Sequence, residues 1–117
     1  MDNVISEYAA PNECGVYTEE VCEVIEYPGK DWRISIKIQI AHVGPNDWRY
    51  GCNTMTTRQG VGFGPSNHSP VFNSFQEARE DAARELIKCF KKYELDEHKS
   101  FTKEIAWLRS LSQLSLF

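Results

Sequence analysis

Large apolar residues alternate with smaller or polar residues in the second quarter of the chain. Trp32, Ile34, Ile36, Ile38 and Ile40 occupy every second position. A period of two places these five side chains on one face of a β-strand. The opposite face is mainly polar, so the pattern predicts an antiparallel sheet that is covered on one side only.

Segments typical of strands flank this one. Residues 16–27 are rich in Val, Ile, Tyr and Thr and precede a turn at residues 28–31, which favours a strand. A second turn at residues 44–47 leads to a partner strand over residues 48–57. The glycine-rich stretch that follows leaves room for a short extra strand at residues 61–63. The chain therefore predicts an antiparallel sheet of three to four strands.

The pattern changes to helical spacing at Ser74. Ser74 and Glu77 have the spacing of a capping box, in which each side chain bonds the backbone N–H of the other residue. Apolar residues then recur every three or four positions and predict an amphipathic helix of about five turns. These residues are Phe75, Ala78, Ala82, Leu86, Cys89, Phe90 and Tyr93. A second helix is predicted to begin at Ser100. Its apolar stripe consists of Phe101, Ile105, Leu108 and Leu111.

Together these elements predict one α+β domain: an antiparallel three- to four-stranded sheet with two C-terminal helices packed on one face. A chain of 117 residues is long enough for one core and too short for two. Residues 1–14 show no period and are interpreted as a flexible arm. Residues 15–112 form the predicted domain, and residues 113–117 form a separate tail.

The tail consists of Gln113, Leu114, Ser115, Leu116 and Phe117. A compact domain rarely ends in three large apolar residues, because a frayed terminus leaves them in water. The five residues resemble the clamp-binding motif of proteins that dock on the bacterial DNA polymerase III β sliding clamp. That consensus reads Gln, Leu, Ser or Asp, Leu, Phe, and the tail matches it at five of five positions. A chance match in a chain of this length is on the order of one in several thousand.

The resemblance implies a role for each tail residue. Gln113 would hydrogen-bond at one edge of the clamp pocket, Leu114 would fill a small apolar notch, and Ser115 would act as a spacer. Leu116 and Phe117 would insert side by side into the main hydrophobic pocket. An alternative remains open, because the apolar tail residues also have the spacing of a continued last helix that packs on the domain's own core.

A second candidate surface combines aromatic and basic residues near the predicted sheet. The set comprises Arg33, Lys37, Trp48, Arg49, Tyr50 and Arg58. Basic and aromatic groups together can hold and stack single-stranded nucleic acid. The alternative is that the aromatic residues belong to the core and the basic residues to a solvated face. The net charge of −4 argues against a body that wraps nucleic acid, but it is compatible with a local basic patch.

The sequence gives little support for a catalytic or metal site. The four cysteines form no C-x-x-C pair and the three histidines lack zinc-finger spacing, so we expect reduced cysteines and neither metal nor cofactor. The glycine-rich run at residues 60–64 lacks the Lys and Ser or Thr of a phosphate-binding loop. No apolar run reaches the roughly 18 residues of a membrane span, and the N-terminus lacks a secretion signal. We therefore expect a cytoplasmic protein with no membrane partner.

These observations favour a small, non-enzymatic adaptor or regulator that docks on the sliding clamp through its tail. Its compact size suggests that a mobile element carries it. Two alternatives remain. One is a phage or plasmid inhibitor of a host nucleoprotein or bacterial immunity effector, whose acidic helix face would occupy a basic nucleic-acid channel. The other is a weak single-strand-binding module that uses the aromatic and basic residues.

Overall fold

The architecture was determined from a computed structural model, which describes residues 8–112. Four strands are followed by two helices, so the predicted α+β fold is confirmed. A 3-10 helix precedes the first strand. The elements are a 3-10 helix at Glu19–Val21, β1 at Glu23–Glu26, β2 at Ser35–Gly44, β3 at Asp47–Met55, β4 at Gly60–Phe63, α1 at Phe75–Glu97 and α2 at Thr102–Ser112.

The sheet is an antiparallel meander in the order β1-β2-β3-β4. Its centre is the long β2–β3 hairpin, in which Ile38 pairs with Cys52 and Ile40 pairs with Tyr50. The register shifts between His42 and Gly44, just before the turn into β3. Because paired residues point to the same face, the buried isoleucines of β2 and the even-numbered residues of β3 form one continuous surface.

The helices cover that surface and complete the core. Phe90 lies at its centre, with ring centroids 5.1 Å from Tyr93 and 5.4 Å from Phe101, both in edge-to-face geometry. Such contacts add to the stability gained from burying three aromatic side chains. The buried core residues are Ile34, Ile36, Ile38, Ile40, Cys52, Ala78, Ala82, Ala83, Leu86, Phe90, Tyr93, Phe101, Ile105 and Leu108.

The first helix begins as predicted and ends later. The Ser74 side chain accepts a hydrogen bond from the Glu77 amide at 3.1 Å, whereas the Glu77 carboxylate accepts from the Asn73 amide rather than from Ser74. The helix runs for 23 residues, about six turns rather than five. It ends at His98, which has a left-handed backbone conformation with φ of 51° and donates its amide to the Glu94 carbonyl.

The extra helical turn is held by polar contacts that an apolar period cannot reveal. The Glu94 carboxylate accepts from the Phe101 amide at 2.7 Å, and this bond ties the end of α1 to the start of α2. The second helix accordingly begins at Thr102, two residues after the predicted Ser100. The Ser100 and Thr102 hydroxyls instead bond each other at 2.6 Å in the connection.

One member of the alternating series does not join the core. Trp32 is 87% exposed, although the four isoleucines that follow it are buried. The Asp31 side chain accepts from the Arg33 amide and the Asp31 carbonyl accepts from the Ile34 amide, so the backbone turns at residues 31–34. A period of two places side chains on one face only while the backbone stays extended, and β2 becomes extended at Ser35. The prediction that Trp32 shares the isoleucine face is therefore wrong.

The first strand is shorter than the predicted segment 16–27, because most of that segment crosses the face of the sheet opposite the helices. The Glu19 carboxylate accepts hydrogen bonds from Lys37 and Gln39, two β2 residues on that face. Tyr17 is buried, and its amide donates to the Pro65 carbonyl at 2.8 Å. Within the predicted arm of residues 1–14, the Ala9 amide donates to the His42 carbonyl of β2. The sheet is thus covered on both faces at this end.

Candidate functional site

The predicted clamp-binding residues Gln113, Leu114, Ser115, Leu116 and Phe117 lie outside the described residues. The structure does describe the helix that leads to them. Its last residue is Ser112, whose hydroxyl donates to the Arg109 carbonyl at 3.0 Å. Leu108 is fully buried and Leu111 packs against the core, so α2 is anchored up to its final turn.

The aromatic members of the predicted nucleic-acid set point toward the helices. Trp48 stacks on His42 with ring centroids 3.6 Å apart and contacts Phe75 edge-on. The Tyr50 hydroxyl donates to the Asp81 carboxylate of α1 at 2.8 Å. Burial, reinforced by this hydrogen bond to a carboxylate, raises the pKa of Tyr50 above its ordinary value. Both rings are therefore used to join the sheet to α1.

The basic members lie elsewhere and are mostly paired with acids. Two lie on the opposite face of the sheet: the Arg49 guanidinium makes two 2.8 Å hydrogen bonds to Asp47, and Lys37 lies 3.2 Å from Glu19. In the two loops, Arg33 lies 3.1 Å from Asp31, and Arg58 lines a shallow cleft with Asp96 and Glu97. The hydrogen bond from Arg49, helped by its charge, holds the pKa of Asp47 below the usual range.

The structure thus does not bring the six residues of this set together. The physical reason is the alternation of the strands, because neighbouring residues such as Trp48 and Arg49 point to opposite faces. The prediction groups these residues because they are close in sequence, and closeness in sequence does not show which face of the sheet each side chain occupies. The geometry agrees instead with the alternative of core aromatics and a solvated basic face.

Polar side chains also link β3 to the end of α1. The Thr54 and Tyr93 hydroxyls bond at 2.8 Å inside the core, and the Glu97 carboxylate accepts from Thr56 at 2.7 Å and from Gln59 at 2.8 Å. Burial pushes the pKa of Glu97 upward, but these two hydrogen bonds and nearby cations outweigh it and lower the pKa below its usual value. Glu97 is thereby kept ionised as a structural acceptor.

The thiols of half-buried Cys22 and buried Cys52 are not poised for chemistry. Burial, followed by the neighbouring Glu19 carboxylate, raises the pKa of Cys22 to about 11. Burial, followed by the neighbouring Cys89 thiol, raises the pKa of Cys52 to about 12. A thiol is nucleophilic as its thiolate, so both groups are protonated and unreactive at neutral pH. Within residues 8–112 no group of three or more His, Cys, Asp and Glu side chains is placed to hold a metal ion.

The most exposed tryptophan of the described region marks a candidate contact surface that the sequence did not indicate. Trp32 lines an open cleft of about 310 Å³ together with Arg33, Met55, Thr56 and Thr57. Met55 is itself 55% exposed. Trp, Met and Arg are enriched at protein interfaces, and Trp is prominent among residues that dominate binding energy. The chemistry of the cleft suits contact with another protein.

Comparisons of the chain with protein-family models, with curated proteins and with solved structures find no match. Neither helix of residues 8–112 has the length and apolar character needed to cross a membrane. The site is therefore interpreted from its own residues and from the motif that follows α2.

Proposed function

We propose that this protein is a small, non-enzymatic adaptor or regulator that docks on the bacterial replication sliding clamp through residues 113–117. The observation that carries the proposal is the five-of-five match of these residues to the clamp-binding consensus. The bound peptide would compete with polymerases or repair factors for the same pocket on the clamp. The domain would then block that pocket or present a second surface beside it.

The energetics of the motif are sufficient for regulated docking. Full burial of Leu114, Leu116 and Phe117 would contribute roughly 1.5–3 kcal/mol for each side chain. The sum of roughly 5–9 kcal/mol reaches the roughly 8 kcal/mol of micromolar affinity only near its upper end, and the cost of ordering the peptide offsets part of it. Binding no tighter than the micromolar range is therefore expected, which permits exchange between competing partners.

The domain supports this role by providing a fixed base for the peptide. Ile105 and Leu108 of α2 are buried among core residues, and the described part of the helix reaches Ser112, the residue that precedes Gln113. The motif therefore follows directly from an element that the core holds in place. An anchored base reduces the entropy lost when a following segment binds, in comparison with a long flexible linker.

The other two functions have weaker support. The aromatic and basic residues required for single-strand binding point in different directions, as described above. The acidic helix face required for an inhibitor of a nucleoprotein effector is partly neutralised, because Glu85 pairs with Lys88 at 3.2 Å. Asp81 accepts from Tyr50 and lies 3.6 Å from Arg84.

A binding titration tests the proposal. The full chain and a peptide of residues 109–117 are titrated against bacterial sliding clamp, and both should bind with micromolar affinity or somewhat more weakly. Phe117→Ala should weaken binding by roughly 10- to 150-fold, the equivalent of the apolar burial that it removes. Ser115→Ala is the matched control, because a spacer that faces partly outward should tolerate the change. Full-chain affinity that is unchanged when residues 113–117 are deleted would refute the mechanism.

A further inference from the structure

The two edges of the sheet differ in how they are protected. At one edge, β1 carries the exposed acids Glu23 and Glu26. Charged residues on an edge strand discourage pairing with a further strand. At the other edge, β4 has the sequence Gly60-Val61-Gly62-Phe63, with no charged residue. Only β1 thus carries charged protection against strand addition.

The β4 edge also exposes apolar side chains. Val61 is 49% exposed and Phe63 is 52% exposed, although both point to the face on which the helices lie. The helix α1 packs mainly over β2 and β3. Within residues 8–112, no strand pairs with the outer side of β4. Its outward N–H and C=O groups and its two apolar side chains are therefore available together.

We propose that β4 is a self-association edge, at which a second copy of this chain adds antiparallel to form an eight-stranded sheet. The strand is complementary to itself about a two-fold axis at Gly62. In that register Val61 of each copy lies opposite Phe63 of the other, on the same face. A β-branched residue opposite an aromatic residue is a favourable cross-strand pair.

The residues after β4 limit the length of the paired segment. Ser66 bridges Val16 and the Pro65 carbonyl accepts from the Tyr17 amide of the same chain, so pairing with a second copy is centred on Gly62 and ends before Pro65. On the other face, Gly62 lies against the Asn53 side chain, whose carboxamide oxygen would be within 1.9 Å of a Cβ at that position. Two glycines at the centre let the paired backbones meet without side-chain interference. An unrelated extended peptide could form the same backbone hydrogen bonds with β4, but it would not place a matching Val and Phe opposite Phe63 and Val61.

Sedimentation equilibrium of the full chain tests the proposal. The four-residue edge is small, so association should be weak, with the mass rising from 13.5 kDa towards twice that value between micromolar and millimolar concentration. Val61→Lys should weaken association by about tenfold or more, because it places a charge on the pairing edge. Leu95→Lys is the matched control, since Leu95 is a largely exposed apolar residue on α1.

Amide hydrogen exchange provides a second measurement. The Gly62 amide, which points away from β3, should become more protected at high concentration in the wild type but not in Val61→Lys, with circular dichroism confirming that the variant is folded. A wild type that remains monomeric at millimolar concentration would overturn the proposal. So would a dimer that Val61→Lys leaves intact. Deletion of residues 113–117 should not alter association; a dimer lost on that deletion would mean that the tail forms the contact.

Discussion

The hydrogen bond between Thr54 and Tyr93 permits a quantitative test of how the sheet is joined to α1. The two hydroxyl oxygens lie 2.8 Å apart, and the residues are 4% and 6% exposed. Removing one hydroxyl leaves the other buried without this partner. The free energy of an unsatisfied buried polar group exceeds the net contribution of the bond itself, so single and double variants should differ in a specific way.

The expected magnitudes follow from that asymmetry. Tyr93→Phe should lower the free energy of unfolding by about 1–3 kcal/mol, because the Thr54 hydroxyl loses its partner in a site with little access to water. Thr54→Val should lower it by a similar amount, because the Tyr93 hydroxyl then loses its partner. The double variant should cost less than the sum of the two single changes, with a coupling of about 1 kcal/mol. Tyr17→Phe is the matched control, since the Tyr17 hydroxyl bonds to Asn67 in an exposed loop.

Urea unfolding followed by circular dichroism measures all four proteins and the control. The dependence of the unfolding free energy on urea should stay constant, because the folded and unfolded surfaces hardly change. Tyr17→Phe should cost less than Tyr93→Phe, as water can replace the lost partner of Asn67. Strictly additive losses for Thr54→Val and Tyr93→Phe would refute the reasoning, since they would mean that the two hydroxyls do not interact.

Two further predictions concern the ion pair between Asp47 and Arg49 and the different burial of Trp48 and Trp32. Asp47→Asn should destabilise the protein most above about pH 4 and progressively less at lower pH, because a depressed carboxyl pKa contributes stability above its unfolded value that is lost as pH falls through the folded pKa. Unfolding of wild type and variant at several pH values checks the sign, and a difference that grows toward low pH would contradict it. Trp48→Ala should lower the free energy of unfolding by about 2–4 kcal/mol, because it removes contacts with His42 and the core. Trp32→Ala should change it by less than about 0.5 kcal/mol, because Trp32 is exposed. Equal losses in urea unfolding would contradict this difference.

The elements predicted best are those with a long regular period. The isoleucines of β2 and the apolar residues of α1 are buried as their spacings require, and the Ser74 cap forms at the predicted position. These patterns are local, so the sequence contains the information needed to recognise them. The fold class follows, because a sheet with one strongly apolar face and two amphipathic helices can bury their apolar surfaces in few other ways.

The errors arise where tertiary contacts decide the structure. The Asp31 turn removes Trp32 from the strand, and Glu97 extends α1 through hydrogen bonds to residues about 40 positions earlier. The crossing of residues 8–22 over the sheet depends on partners such as Pro65 and His42. None of these contacts has a periodic signal. The separation of the basic and aromatic residues has a different, local cause: they are neighbours in sequence, and the alternation of β3 directs neighbours to opposite faces.

The exposed apolar residues themselves show where the function of the domain is to be sought. A single exposed apolar side chain, such as Leu95, is common on soluble proteins and requires no explanation. Trp32 and Met55 are different, because they share one cleft, and β4 exposes two apolar residues on one short strand. Folding gains little from groups left in water, so their clustering is better explained by contacts with other molecules. Met55 pairs with Gly60 of β4, which places the cleft and the unpaired edge side by side across the end of the β3–β4 hairpin. Because Met55 of β3 belongs to the cleft and also pairs with β4, changes at either surface should be assayed together.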